Sequence, residues 1–307
     1  MKGTKGKNLR VLSVVCFWVV SGSVVCWAKD GLLVIAHGAP AAQWNAPVLA
    51  FGKRVERAAL ESGRFAAVRL GMLEAAQPDV ASALQGLERQ GCERIVAVPL
   101  FVAPSGHTLF DVPAVLGIYY SRREHELLKA EGTWLGRTHV PLVLTNTLSE
   151  RVLAEFVLAQ VRKWSKEPKD EALVLFAHGS ENHGPLVDTL LRHVLVYCCA
   201  HTGIDYAERA YVRVGQAYFE HGVPAVLEAA KHKKRVLVVG VFVCSTAESV
   251  RRRALREAGG QGEPDVEKLV KQGRVVFANE RLVDSPAVVQ WVLKTATEAA
   301  RSCRPDD

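Results

Sequence analysis

The sequence predicts an α/β protein made of two duplicated units, each with a parallel sheet. An apolar run ending in Ala-His-Gly occurs twice, at residues 31–39 and 172–180. Other segments recur in the same order after each copy, and segments of helical period separate the apolar runs. An alternation of strands and helices is typical of parallel sheets whose strands are joined by crossover helices.

The first element of each unit is predicted to be a strand that is buried on both faces. The two copies read GLLVIAHGA at 31–39 and ALVLFAHGS at 172–180. Continuous aliphatic runs of this length, followed by a turn, are typical of central strands that helices cover on both sides.

The second strand and the helix after it are predicted from weaker matches. Residues 68–71 and 212–215 both read Val-Arg-aliphatic-Gly. A glutamate then stands four residues before a proline in each unit, at 74–78 and 220–224. A helical pattern follows the first proline over 78–90, because proline is favoured in the first turn of a helix.

The third and fourth strands give the clearest remaining matches. Residues 94–102 correspond to 235–243, and residues 142–146 correspond to 275–279. Each unit is therefore predicted to be a Rossmann-like domain, in which parallel strands carry their functional residues at one edge of the sheet.

The domain boundaries are predicted at 29–165 and 170–303, with a charged, proline-containing linker at 163–170. Each unit ends in a helix-period segment, at 148–164 and 286–300. We expect each of these terminal helices to pack on the other domain.

Residues 1–28 have the order of a secretory signal peptide, with four basic residues followed by an apolar run over 11–28. We expect cleavage before Lys29 and export to the periplasm. An uncleaved membrane anchor formed by 11–28 stays open, because about 18 apolar residues suffice to span a bilayer.

The net charge does not indicate a nucleic-acid partner. Removal of residues 1–28 takes away four positive and no acidic residues, which lowers the formal charge from +7 to +3. No basic run with interleaved aromatic residues occurs elsewhere, so no nucleic acid is expected as a partner.

Three candidate ligands are predicted at the carboxyl ends of the strands in the first unit. His37 follows the first strand, Glu74 follows the second, and His107 lies in the loop after Phe101. Ligands of parallel sheets bind beyond these ends. Two imidazoles and one carboxylate suit divalent ions such as Co²⁺, Ni²⁺ and Fe²⁺. We therefore expect a metal site in the cleft between the domains.

The second unit lacks the histidine that corresponds to His107. Alignment of Phe101 with Phe242 places Glu248 at that position, so the corresponding set is His178, Glu220 and Glu248. Two interpretations stay open, since the second unit either shapes the cleft or binds a second metal.

These motifs resemble those of the class II tetrapyrrole chelatases, in particular the sirohydrochlorin cobaltochelatases of the CbiX and CbiK kind. The matching segments are 36–38, 73–78, 98–107 and 111–113, together with the repetition of that plan. The resemblance implies the chelatase-like fold. It also implies insertion of Co²⁺, or of Fe²⁺ or Ni²⁺, into sirohydrochlorin or a related tetrapyrrole without ATP. The metal is then a substrate, and no permanently bound cofactor is expected.

The resemblance also implies roles for the residues. His37 and His107 would bind the metal, with Glu74 as an acidic partner, and the same three would be catalytic. Insertion requires removal of two pyrrole protons, and an imidazole with a pKa near neutrality suits that task. Phe101, Ser105 and Gly106 are expected to contact the tetrapyrrole.

Three departures from the family pattern are the leader, Ala39 in place of the usual serine, and the altered second unit. The leader and the altered second unit leave one alternative open, and the two α/β lobes leave a second. The first is an exported protein that binds a tetrapyrrole, haem or a metal without turnover, which would retain its ligand stoichiometrically. The second is a periplasmic solute-binding protein, which would close around a small polar ligand without a metal.

Overall fold

The computed structural model describes residues 29–133, 135–180, 182–212, 216–260 and 263–302. Two four-stranded parallel sheets with helices on both faces form these parts of the chain, which confirms the predicted α/β fold. The predicted leader at 1–28 lies outside the described residues.

The first sheet has the strand order β2-β1-β3-β4. Its strands are β1 (Asp30–Ala36), β2 (Ala67–Met72), β3 (Arg94–Pro99) and β4 (Leu142–Leu144). The helices in this part of the chain are α1 (Ala42–Glu61), α2 (Val80–Arg89), α3 (Val112–Val115), α4 (Arg122–Ala130) and α5 (Glu150–Trp164).

The second sheet repeats this plan with the order β6-β5-β7-β8. Its strands are β5 (Glu171–Ala177), β6 (Tyr206–Tyr211), β7 (Arg235–Val241) and β8 (Val275–Phe277). The helices in this part are α6 (Gly184–Thr202), α7 (Val223–His232), α8 (Ala247–Glu257), α9 (Pro264–Lys271) and α10 (Pro286–Ser302).

The strand registers confirm the repeat at the first, third and fourth strands. Asp30 pairs with Arg94 in the first sheet, as Glu171 pairs with Arg235 in the second. The fourth strands are likewise equivalent, because they pair with corresponding positions of β3 and β7.

The match of 68–71 to 212–215 is wrong. Val68 lies inside β2 and pairs with Leu32 of β1, whereas Val212 follows the end of β6. The register makes Ala207 the counterpart of Val68. The edge strand β6 reads YAERAY, and its alternating polar residues hide it from a search for apolar runs.

A buried ion pair joins the first and third strands of each sheet at their amino ends. Arg94 donates from Nε and Nη2 to the two carboxylate oxygens of Asp30, at 2.9 and 2.8 Å. Arg235 forms the equivalent contact with Glu171. Arg94 and Arg235 begin the matched segments 94–102 and 235–243, and their acidic partners extend the repeat by one residue before 31–39 and 172–180.

Successive residues along each central strand point to opposite faces of its sheet. One face packs in a core that both sheets share, and the other packs in an outer core that belongs to that sheet alone. Leu32 and Val34 of β1 face the shared core, as do Leu173 and Leu175 of β5. The intervening residues of β1 and β5 face two separate outer cores. The two sheets therefore enclose one central layer of helices.

The terminal helices exchange partners between the halves, as the sequence predicts. Helix α5 packs against α6 and β7, although it follows the first sheet in sequence. Helix α10 packs against α1 and β3. Beyond the end of α1, Arg64 Nη1 donates to Thr297 Oγ1 of α10 at 3.4 Å.

The described helices include none that is long and apolar enough to cross a membrane. Within the same part of the chain, Cys92, Cys198, Cys199 and Cys244 are free thiols.

Candidate metal centre

Three predicted ligands lie together at the carboxyl edge of the first sheet. His37 stands one residue past β1 and Glu74 stands two residues past β2. His107 begins a π-helical turn, His107–Asp111, that follows β3. One ligand atom from each of the three side chains lies within 4.8 Å of the others. No other group of three such residues is found in the described ranges.

The carboxylate of Glu74 lies between the two imidazoles. Its Oε2 is 3.4 Å from His37 Nε2, and its Oε1 is 3.3 Å from His107 Nδ1. The imidazole rings meet edge to face with centroids 4.9 Å apart. The two imidazole side chains are about half exposed, at 48% and 41%, whereas Glu74 is 17% exposed. A cation can thus reach the imidazoles from solvent.

The orientation of His37 is fixed by its own turn. Its Nδ1 lies 2.5 Å from the carbonyl oxygen of Gly38, which can only accept a hydrogen bond. Nδ1 therefore carries the proton, and the lone pair of Nε2 is directed towards Glu74 and is free to bind a metal. His178 makes the corresponding contact with Gly179 at 3.2 Å.

Gly38 allows the loop of Glu74 to approach His37. A Cβ at this position would lie 1.8 Å from the carbonyl oxygen of Glu74. Only glycine leaves room for this backbone, so the Ala-His-Gly motif serves the geometry of the cluster as well as the turn.

The loop that carries Glu74 is held by two hydrogen bonds to the backbone of Leu73, the residue before it. Leu73 N donates to the carbonyl oxygen of Ala36 at 2.8 Å, which extends the contact between β2 and β1. The hydroxyl of buried Thr133 donates to the carbonyl oxygen of Leu73 at 3.0 Å. These bonds place the Glu74 carboxylate between the histidines.

Asp111 supports His107 from the far side of the cluster. Its Oδ2 accepts a hydrogen bond from His107 Nδ1 at 2.6 Å, because both residues lie on one face of the π-helical turn. This bond raises the pKa of His107, burial opposes the rise, and the negative charge of Glu74 adds to it. Burial alone would raise the pKa of Asp111, but hydrogen bonds with His107 and Glu124 outweigh it and lower that pKa.

The role of Asp111 is not assigned from the sequence, which identifies it only as part of the Asp-Val-Pro segment. A histidine four residues before an acid, in a segment that forms a helical turn, is the signal that would have found it.

The predicted tetrapyrrole contacts lie around His107. Phe101 is buried in the outer core of the first half, and its ring centroid is 6.3 Å from that of His107. Ser105 N donates to Thr108 Oγ1 at 2.8 Å and thereby begins the turn. Gly106 has open space where a Cβ would lie.

In the described part of the second half, His178, Glu220 and Glu248 do not form a three-residue cluster, which favours the interpretation that this half shapes the cleft. His178 and Glu220 line an open cavity of about 710 Å³, and Glu248 is not among its lining residues. In the first turn of α8, the Glu248 carboxylate accepts bonds from Arg251 at 2.9 Å and Arg252 at 2.6 Å. Burial alone would raise the pKa of Glu248, but these arginines outweigh it and lower it.

Comparison with known proteins identifies the family of this chain. The CbiX family model matches residues 31–153. A sirohydrochlorin cobaltochelatase of Saccharolobus islandicus (strain L.S.2.15) is 30% identical over 108 residues, which cover 33% of this chain and 80% of that protein. The chain belongs to the CbiX family. All three cluster residues, His37, Glu74 and His107, lie within the matched range.

Other relatives of this CbiX-family chain agree in fold and in part of their sequence. A sirohydrochlorin cobaltochelatase of Methanocaldococcus jannaschii is 28% identical over 95 residues, which cover 31% of this chain and 64% of that protein's length. The sirohydrochlorin chelatase SirB of Bacillus subtilis subspecies spizizenii, solved with cobalt, matches with a TM-score of 0.61. At 13% identity it covers 90% of this chain and 97% of its own, which shows a shared fold.

Proposed function

We propose that this protein is a metallochelatase that inserts a divalent ion, Co²⁺ above all, into sirohydrochlorin or a related tetrapyrrole without ATP. The observation that carries the proposal is the cluster of His37, Glu74 and His107 at the carboxyl edge of the first sheet, with ligand atoms within 4.8 Å of one another. Fe²⁺ and Ni²⁺ suit the same donors. The names of the relatives support the substrate class.

The donor set suits a protein that delivers its metal. Insertion exchanges one divalent cation for two pyrrole protons, so the protein must release the ion and accept the protons. Imidazole and carboxylate ligands bind a borderline cation less firmly than thiolates do. Imidazole nitrogens also accept protons, which suits His37 and His107 for both tasks.

The surrounding residues would hold these groups for each task. The carbonyl of Gly38 keeps Nε2 of His37 directed towards the ion. Asp111 orients His107 and stabilises its protonated form after it accepts a proton. Glu74 contacts both imidazoles and would pass a proton between them or balance the charge of the metal.

The direct test is the rate at which the absorption spectrum of sirohydrochlorin changes when Co²⁺ and the protein chain from Lys29 are added. We expect the wild-type protein to exceed the uncatalysed rate. His37→Ala and His107→Ala should each lower the catalysed rate about a hundredfold or more, since each removes a ligand and a proton acceptor.

His178→Ala is the matched control, because His178 occupies the same strand end in the second half but has no metal cluster around it. It should keep the wild-type rate. Equal rates for the wild-type protein and both first-half variants would contradict catalysis by this cluster. Tight retention of the tetrapyrrole without rate enhancement would favour a binding protein instead.

We also propose that the protein is exported through its leader, on the basic and apolar order of residues 1–28. Expression of the full chain followed by mass spectrometry of the periplasmic fraction should give a mature amino terminus at Lys29. Recovery of the intact chain in the membrane fraction would favour the anchor at 11–28.

A further inference from the structure

A cation–π contact joins the two halves beside their carboxyl edges. Trp44 lies in the first turn of α1, the helix that follows β1, and Arg253 lies on α8, the helix that follows β7. The guanidinium carbon of Arg253 is 5.2 Å from the centroid of the Trp44 ring. This contact therefore brings a positive charge from the second half towards the half that holds the metal cluster.

Asn45, the residue after Trp44, is hydrogen-bonded to the loop that carries His37. The amide of Asn45 donates to the carbonyl oxygen of Ala39 at 2.8 Å, and the Asn45 side-chain oxygen accepts from Ala39 N at 3.0 Å. Ala39 is two residues past His37. Trp44 follows His37 by seven residues, so their Cα atoms lie within about 25 Å of each other even if the segment were fully extended.

Arg253 retains free donors in this position. Its Nε donates to Glu257 at 2.7 Å, and its side chain is 36% exposed. In the part of the chain that the structure describes, neither terminal nitrogen has a hydrogen-bond partner. A guanidinium that lies over an aromatic ring keeps its N–H groups at the edge, where they can bind a carboxylate in a bidentate manner.

The acids around the metal cluster and the arginines of α8 present different charges near these edges. The first half presents Glu74 and Asp111 around its histidines, an arrangement that favours a cation and repels an anionic ring. The second half presents Arg252 and Arg253 on the exposed side of α8. Arg252 and Arg253 each donate from Nε to a glutamate of α8, but Arg253 alone of the two also lies over Trp44, a residue of the half that holds the metal cluster. Arg253 is therefore the better candidate for an outside anion.

We propose that Arg253, held against Trp44, is a specificity-determining residue that binds a peripheral carboxylate of the tetrapyrrole. The proposal rests on the chelatase function proposed above. In this arrangement the first half binds the metal and the second half binds carboxylates at the edge of the ring. A tetrapyrrole with many free carboxylates is therefore preferred over an esterified one.

The test measures the dissociation constant for metal-free sirohydrochlorin by absorbance, which does not depend on turnover, and then KM in the cobalt assay. Arg253→Gln should raise both about tenfold, the effect of one lost hydrogen bond to a charged group. Arg253→Lys should fall between, because a point charge remains without the bidentate geometry. The dependence of binding on salt should weaken in Arg253→Gln, whereas Co²⁺ affinity should stay unchanged.

Arg122→Gln is the matched control, since Arg122 is an 87% exposed arginine on α4 that pairs with Glu126. It should leave the dissociation constant, KM, the dependence of binding on salt and the Co²⁺ affinity at wild-type values. The thermal unfolding midpoint of each variant shows whether it is folded. Wild-type binding and salt dependence in both Arg253 variants would overturn the proposal. Binding without turnover in the wild-type protein would overturn the chelatase function and leave the Arg253 comparison valid, whereas no binding by the wild-type protein would overturn both.

Discussion

At the scale of single residues, the hydrogen bond between His107 and Asp111 governs how the cluster responds to pH. A protonated imidazole cannot bind a metal, so Co²⁺ must compete with a proton at His107. Because Asp111 raises the pKa of His107 above its ordinary value of 6.5, Co²⁺ affinity should fall as the pH drops through that raised pKa.

Asp111→Asn should move this fall in affinity to lower pH, because a neutral acceptor no longer stabilises the imidazolium. At a pH above both pKa values, Co²⁺ binding should weaken about tenfold to a hundredfold, since the ring loses its orienting partner. Calorimetric titration of Co²⁺ at a series of pH values would measure both effects. A midpoint identical to that of the wild-type protein would show that Asp111 does not control the protonation of His107.

Gly38 offers a second test at the same scale. Gly38→Ala should push the Glu74 loop away from His37, because the added Cβ would lie 1.8 Å from the carbonyl oxygen of Glu74. We expect weaker Co²⁺ binding and a loss of stability of at least about 1–3 kcal/mol, as for other overpacked sites. Gly184→Ala is the control, since no atom lies within 4 Å of its Cβ position. Urea unfolding and Co²⁺ titration would measure the two effects.

At the scale of elements, the duplicated ion pair fixes the amino ends of the first and third strands in each sheet. Asp30 is 3% exposed and Arg94 is 10% exposed, so neither charge can be hydrated once its partner is removed. Removal of the Asp30 charge takes two charge-assisted hydrogen bonds from a guanidinium that is largely buried.

Asp30→Asn should therefore lower the free energy of unfolding by about 3–5 kcal/mol. The double variant Asp30→Leu/Arg94→Met should recover much of that loss, because it removes both charges together. Denaturant unfolding followed by circular dichroism would measure the difference. Equal stability of Asp30→Asn and the wild-type protein would mean that the pair contributes little to the fold.

The elements that the sequence predicts correctly are those whose burial leaves a pattern. Strands β1 and β5 are buried on both faces and read as aliphatic runs, and their turns carry the histidines that define the motif. The edge strand β6 has alternating polar residues and therefore no such run, so the sequence pattern places its counterpart of 68–71 too far along the chain. Glu248 pairs instead with Arg251 and Arg252, three and four residues later on α8, a helical spacing that indicates an ion pair rather than a metal ligand.

At the scale of the whole molecule, the central layer makes the two sheets depend on each other. Both sheets bury one face in the same core, and α5 and α10 each cover part of the opposite half. Unfolding one half would expose the apolar face of the other, so we expect one cooperative transition.

Hydrogen exchange should show this coupling, with the amides of β1 and β5 exchanging at the same rate under conditions of global opening. A chain that ends before Pro286 should lose protection in β3 as well, because α10 packs on that strand. Separate calorimetric transitions for the two halves, or an intact β3 in the shortened chain, would contradict a shared core.

The exchange of terminal helices also sets an order of events during synthesis. The ribosome releases residues 30–144, which contain the whole first sheet, long before it releases α10. The part of that sheet that α10 covers, at β3, therefore stays exposed until α10 has been made. Exposed apolar surface of this kind makes a partly made chain prone to aggregation.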